Sequence, residues 1–121
     1  MAIRFPAMPR IGFYAAAAFV GALSLVPGGA LPASQLSDKV EHLLSYAALG
    51  LIGVATARNG SRAACSILGI IAFGAVIEIL QMFSPGRYAE VGDALANAAG
   101  ALIGGAIAIV WHRRRIAAGA R

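Results

Sequence analysis

Apolar residues fall into four runs, which short polar or basic segments separate. The runs cover about residues 11–26, 38–57, 63–83 and 91–111. A helix that spans a membrane needs about 17–25 mostly apolar residues. Three runs fit that length, and the first approaches its lower limit. The pattern therefore predicts an all-α fold, an integral membrane bundle of four transmembrane helices that forms one domain over residues 1–121.

The segments between the runs carry signals for turns and helix ends. Pro27-Gly28-Gly29 and Ser84-Pro85-Gly86 are predicted turns, because proline fixes φ and glycine tolerates positive φ. Ser37 or Asp38 is suited to cap the second helix. His112 and the arginine run that follows it are expected to end the fourth helix.

The first run has a second interpretation as a secretory signal peptide. Arg4 and Arg10 would form its basic region, and the small residues Gly28-Gly29-Ala30 would provide the cleavage site. This alternative removes one helix from the bundle and leaves the order of the other three unchanged.

Composition places the chain in a membrane. Hydrophobic residues make up 60% and charged residues 12%, with a mean hydropathy of +0.78, whereas soluble domains carry about 25% charged residues. The net charge is +5, but the basic residues mark segment ends and form no stripe with aromatic residues. We therefore expect the lipid bilayer, and no nucleic acid, as a partner. Cys65 lies within an apolar run and is predicted to be a small core residue.

Lysine and arginine orient the bundle, because cytoplasmic loops carry an excess of both. With the N-terminus inside, only Lys39 and Arg87 lie outside, so the split is eight to two. The sequence predicts that both termini are cytoplasmic. The acidic residues then all fall in the outer half: Asp38, Glu41, Glu78, Glu90 and Asp93.

Three predicted helix ends bring polar residues to that outer side. Glu78 and Gln81 lie three residues apart and share a helix face, and Asp93 and Asn97 lie four apart and share another. The second helix adds a polar face at its start: Asp38, His42, Ser45 and Tyr46. A carboxylate within an apolar helix is costly without a partner. Candidates for Glu78 are Arg87, Lys39, His42, a metal ion or its own protonation.

We assign candidate roles to this polar corner. The candidate catalytic residues are Asp38, His42, Glu78 and Asp93; the candidate substrate-binding residues are Lys39, Tyr46, Gln81, Arg87 and Asn97. His42 and Glu78 would form an acid/base pair, and Lys39 and Arg87 would contact phosphate or carboxylate. A divalent cation on Asp38, His42, Glu78, Asp93 and Asn97 is compatible with the residue types, but no cofactor is assigned. The alternative is a hydrogen-bond network that only fixes the bundle.

The fourth helix also carries a packing signal. Asp93, Asn97, Gly100 and Gly104 lie on one stripe, and two glycines four residues apart allow close helix contact. Gly100 and Gly104 are expected to face another helix, and Ala101 to lie off that contact.

The polar motifs, taken in order, resemble the VanZ-like family. They are Asp38-Lys39-x2-His42-x3-Tyr46-x2-Leu49-Gly50, Glu78-x2-Gln81-x-Phe83-x-Pro85-x-Arg87 and Asp93-x3-Asn97-x2-Gly100-x3-Gly104. Members are small bacterial multi-helix membrane proteins, and the founding member is associated with teicoplanin resistance. The resemblance covers roughly residues 25–105. It implies a multi-pass protein of the bacterial inner membrane with a role in the cell envelope, and it supplies no reaction.

Three functions remain open at this point. The polar corner could bind or process a lipid-linked or cell-envelope substrate at the outer leaflet. It could instead lock a non-catalytic scaffold or interaction protein. A transporter is the third, and a four-helix unit with no internal repeat would need to form a homo-oligomer for that role.

Overall fold

The computed structural model describes residues 10–33 and 35–120, and over these residues it contains four α-helices and no strand. They are α1 (Ile11–Leu25), α2 (Asp38–Ala55), α3 (Gly60–Gln81) and α4 (Val91–Gly119). The all-α fold and the order of the four helices are confirmed. Arg4, part of the predicted signal-peptide region, lies outside the described residues.

Two helix starts are set by side-chain caps. Ser37 Oγ accepts the Val40 N–H at 3.4 Å, which confirms Ser37 as the cap of α2. Asn59 Oδ1 accepts the Arg62 N–H at 2.9 Å. Because this amide caps α3, the helix begins at Gly60, three residues before the start predicted from hydropathy alone.

The predicted end of α4 is wrong. The helix continues through His112 and the arginines to Gly119. Because arginine has a high helix propensity, the helix continues through the exposed basic run, although the apolar surface ends there.

The helices pack so that one end of the bundle collects the polar residues. α1 and α3 end there, and α2 and α4 begin there; we call it the polar end. Gln81 Nε2, at the end of α3, donates a hydrogen bond to the Ser24 carbonyl of α1, and Lys39 of α2 pairs with Glu90, the residue before α4. α2 and α4 thus run parallel and make the most extensive helix contact.

Glycines allow the backbones of α2 and α4 to touch. A Cβ atom on Gly100 would overlap the Leu43 carbonyl oxygen, and one on Gly104 would overlap the Ala47 carbonyl oxygen. Both glycines therefore face α2, as predicted. The expectation for Ala101 is wrong: it is fully buried, and its carbonyl lies against Gly50 of α2. Because the two backbones are in close contact, α2 buries more of the surface of α4 than the predicted stripe of Asp93, Asn97, Gly100 and Gly104.

Two of the four helices, α3 and α4, are long and apolar enough to cross a membrane. Only 33% of the most apolar window of each is buried inside the bundle, so most of that surface needs an apolar environment. α1 is apolar but shorter, with 15 residues, and α2 begins with Asp38, Lys39 and Glu41. Cys65 lies on the exposed face of α3 and is not the predicted core residue.

Candidate functional site

Glu78 is a buried carboxylate at the last turns of α3. Its side chain is 5% exposed. Oε1 accepts the backbone N–H of Glu90 at 2.7 Å, which fixes the residue before α4. Oε2 is buried without a hydrogen-bond partner among the described residues. Neither Arg87 nor Lys39, two of its candidate partners, forms an ion pair with it there.

His42 joins α2 to α4. Its Nδ1 lies 2.9 Å from Asn97 Oδ1, and its Nε2 lies 3.7 Å from Asp93 Oδ2. The side chains of His42 and Asn97 can meet because the backbones of α2 and α4 are in close contact at Gly100, one helical turn beyond Asn97. His42, Glu78 and Asp93 each offer a ligand atom, and these atoms lie within 4.8 Å of one another.

Five side chains at this point form what we call the buried cluster: His42, Tyr46, Glu78, Asp93 and Asn97. Three of its polar atoms are buried without a partner in the described structure: Tyr46 OH, Glu78 Oε2 and Asn97 Nδ2. A fourth, Asp93 Oδ1, is buried with only the Lys39 ammonium near it, at 3.4 Å. An unsatisfied buried polar group costs about 1–3 kcal/mol. Three such atoms at one place point to a site that takes a ligand.

Lys39 sits at the rim of the cluster. Its Nζ donates to Glu90 Oε2 at 2.8 Å and lies 3.4 Å from Asp93 Oδ1. The hydrogen bond from this ammonium group holds the pKa of the Glu90 carboxyl below its usual range. Lys39 therefore divides its charge between an exposed and a buried carboxylate and compensates Asp93 only in part.

A second polar region, which we call the loop clasp, ties the end of α1 to the turn after α3. Gln81 Nε2 donates to Ser24 O at 2.9 Å, Ser84 Oγ to Leu25 O at 2.9 Å, and Arg87 Nε to Val26 O at 3.1 Å. The Gly28 N–H adds a backbone bond to Pro85 O. These bonds satisfy the carbonyls that the end of α1 leaves free. Gln81 and Arg87, both predicted substrate ligands, thus have structural partners.

A cavity of about 900 Å³ opens at the polar end. Apolar side chains of α1 and the following loop contribute to its lining, among them Phe19, Leu23 and Leu36. His42 and Asp93 of the buried cluster also line it. The cavity is therefore amphipathic, and it gives access to the cluster.

The remaining predicted site residue, Asp38, is exposed and lies on the cavity wall, apart from the buried cluster. The structure thus brings together His42, Tyr46, Glu78, Asp93 and Asn97, and places Lys39 at their edge. Sequence reasoning missed the Glu90 N–H as a partner of Glu78, and it missed Ser84. A serine in a turn beside a helix end is the only signal that pointed to the latter.

Comparison with known protein families gives a match over most of the chain. The profile of the VanZ/LLP1 family matches residues 7–112, which include all three polar motifs and the start of every helix. No curated protein and no solved structure matches the chain. A match over most of the chain, together with the polar residues that the motifs bring into contact, shows that the protein belongs to the VanZ/LLP1 family.

Proposed function

We propose that this protein crosses the bacterial inner membrane with four helices, keeps both termini in the cytoplasm, and binds a lipid-linked or cell-envelope molecule at its polar end. The cavity carries this proposal. Its apolar lining residues suit a hydrocarbon chain, and its polar ones suit a headgroup, so one amphiphile would contact both.

The charges of the residues that line the cavity limit which headgroup could bind there. Four acidic residues line the cavity: Asp38, Glu41, Glu90 and Asp93. Arg87 also lines it, and Lys39 at the rim pairs with Glu90 and Asp93, so the formal balance is −2. A bare phosphate would meet repulsion there, whereas a headgroup rich in hydroxyl or amino groups would find acceptors. The terminal nitrogens of Arg87 have no hydrogen-bond partner in the described part of the chain, so they remain available to an oxygen of the ligand.

Orientation is tested with alkaline phosphatase fusions after Ala33 and at the C-terminus. The eight-to-two division of lysine and arginine predicts high activity for the first and none for the second. High activity of the C-terminal fusion would overturn the orientation and with it the outward-facing cavity.

Occupancy of the cavity is tested by native mass spectrometry of the protein released from bacterial membranes. Ser45 lines the cavity, and Ala48 lies on the exposed face of the same helix. We expect the wild type and Ala48→Trp to retain a membrane-derived molecule, and Ser45→Trp to lose it. Retention by both variants, or no bound molecule in the wild type, would contradict the proposal.

The loop clasp favours a second candidate, a scaffold or interaction protein that binds no substrate. Gln81, Ser84 and Arg87 all hold the end of α1, as a purely structural lock would. The scaffold hypothesis explains the loop clasp. It does not explain why polar atoms of the buried cluster have no partner in the described structure. A deletion strain that is complemented equally by wild type and Ser45→Trp would favour it.

A further inference from the structure

We propose that His42, Glu78 and Asp93 together bind one divalent cation, and that the donor set fits Zn²⁺ best. Their candidate ligand atoms lie within 4.8 Å of one another, and His42 Nε2 is 3.7 Å from Asp93 Oδ2. Ligands of a tetrahedral zinc ion lie about 3.4 Å apart, given bond lengths of about 2.0–2.2 Å. Small side-chain rotations therefore close the site.

The hydrogen bond to Asn97 prepares His42 for this role. With the amide oxygen assigned to face the ring, Oδ1 only accepts, so the proton of the imidazole lies on Nδ1. In that tautomer the lone pair of Nε2 faces Asp93, whose Oδ2 lies 3.7 Å away. Histidines that bind metals almost always donate their other N–H to an oxygen in this way.

The charge of the site also calls for a cation. Glu78 and Asp93 are 5% and 7% exposed, and Glu78 Oε2 has no partner among the described residues. Burying two adjacent carboxylates is costly unless a positive charge compensates them. Lys39 lies 3.4 Å from Asp93 but is shared with Glu90, and it forms no ion pair with Glu78 in the described structure. A divalent ion would neutralise both carboxylates at once.

The types of donor select the metal. One imidazole nitrogen and two carboxylates are ordinary zinc ligands, whereas Mg²⁺ and Ca²⁺ prefer oxygen alone. Three protein ligands leave the fourth position of a zinc ion open. His42 and Asp93 line the cavity, so that position would face it. The cation does not depend on what else the cavity binds.

The test measures zinc in the full-length protein. The chain is purified in detergent with a tag that does not bind metals, stripped with a chelator, reloaded with Zn²⁺ and passed through a desalting column. Its other histidine, His112, lies in the last part of α4, far from the polar end, and provides the matched control. We expect about one zinc per chain in the wild type and in His112→Ala, and almost none in His42→Ala.

X-ray absorption of the zinc-loaded wild type keeps the proposal testable if His42→Ala fails to fold. The proposal predicts one imidazole and otherwise oxygen ligands. A sulfur ligand would place the zinc at Cys65 and overturn the proposal, as would a signal from oxygen ligands alone. Equal zinc content in the two histidine variants, or a metal-free wild type after reloading, would overturn it too. A failure here leaves the retention of a membrane molecule in the Ser45→Trp experiment unaffected.

Discussion

The loop clasp and the buried cluster lie side by side at the polar end, and they differ in how their polar groups are satisfied. Gln81 and Glu78 are less than one helical turn apart on α3, and both are buried. Gln81 donates to the Ser24 carbonyl, whereas Glu78 uses one oxygen and leaves the other without a partner in the described structure. A polar network that satisfies itself stabilises a fold. A network that leaves buried polar atoms unpaired is typical of a binding site.

The largest expected effect comes from separating α2 and α4, which would dismantle the buried cluster and spare the clasp. A side chain at Gly104 would overlap the Ala47 carbonyl of α2. We expect Gly104→Leu to lower the free energy of unfolding in detergent by about 3 kcal/mol, the upper end of the usual cost of overpacking. The same change at Ala106, which is exposed on α4, is the control and should have little effect. Equal thermal stability of the two variants would contradict the packing.

Removing a clasp residue should cost less. Gln81→Ala leaves the Ser24 carbonyl without its donor, so we expect a loss of about 1–2 kcal/mol in the free energy of unfolding. Met82 is 63% exposed, and Met82→Ala serves as the control. Thermal unfolding of the metal-free proteins gives the comparison. If Gln81→Ala were as stable as the wild type, the loop clasp would have no structural role.

Replacing Glu78 should not destabilise the metal-free protein, in contrast to replacing Gln81. In Glu78→Gln the amide oxygen can still accept the Glu90 N–H, and one of two adjacent negative charges disappears. We expect the metal-free variant to be at least as stable as the wild type. The reciprocal change, Gln81→Glu, removes the donor to Ser24 and should destabilise the protein. If Glu78→Gln lost as much stability as Gln81→Ala, both regions would be structural.

The smallest effect concerns the exposed pair of Lys39 and Glu90. Because Lys39 lowers the pKa of Glu90 in the folded state, the pair adds stability above the ordinary glutamate pKa of about 4.3 and loses it as the pH falls through the lowered value. We therefore expect Glu90→Gln to be slightly less stable than the wild type at neutral pH, with the difference vanishing in acid. Thermal unfolding across that pH range measures it, and a difference that grows in acid would contradict the ion pair.

Most of the helical fold could be predicted from the pattern of apolar residues, because a proline, a glycine or a cap bounds each of the first three runs. The end of α4 could not, since arginine ends an apolar surface and continues a helix equally well. The meeting of His42, Glu78 and Asp93 could be anticipated, because successive helices joined by short loops alternate in direction and bring their three helix ends to one side. Which side of the membrane that is stays a prediction.

The division of the polar residues into clasp and cluster could not be predicted. Helical spacing puts Glu78 and Gln81 on one face, but it does not say that one reaches Glu90 and the other reaches α1. That difference depends on how loops return to the bundle, and short-range patterns carry no information about it. The burial of Ala101 could not be predicted either, because it depends on how closely the backbones of α2 and α4 approach each other.

A calorimetric titration of Zn²⁺ into metal-free wild type, Glu78→Gln and Gln81→Ala tests the difference between cluster and clasp most directly. The wild type and Gln81→Ala should bind about one zinc ion with similar affinity, because the clasp contributes no ligand. Glu78→Gln should bind at least about 100-fold more weakly, beyond the roughly 10–100-fold cost of losing a residue that only orients a ligand. Equal affinities in all three proteins, or no binding by the wild type, would contradict the assignment of the buried cluster as the ligand site.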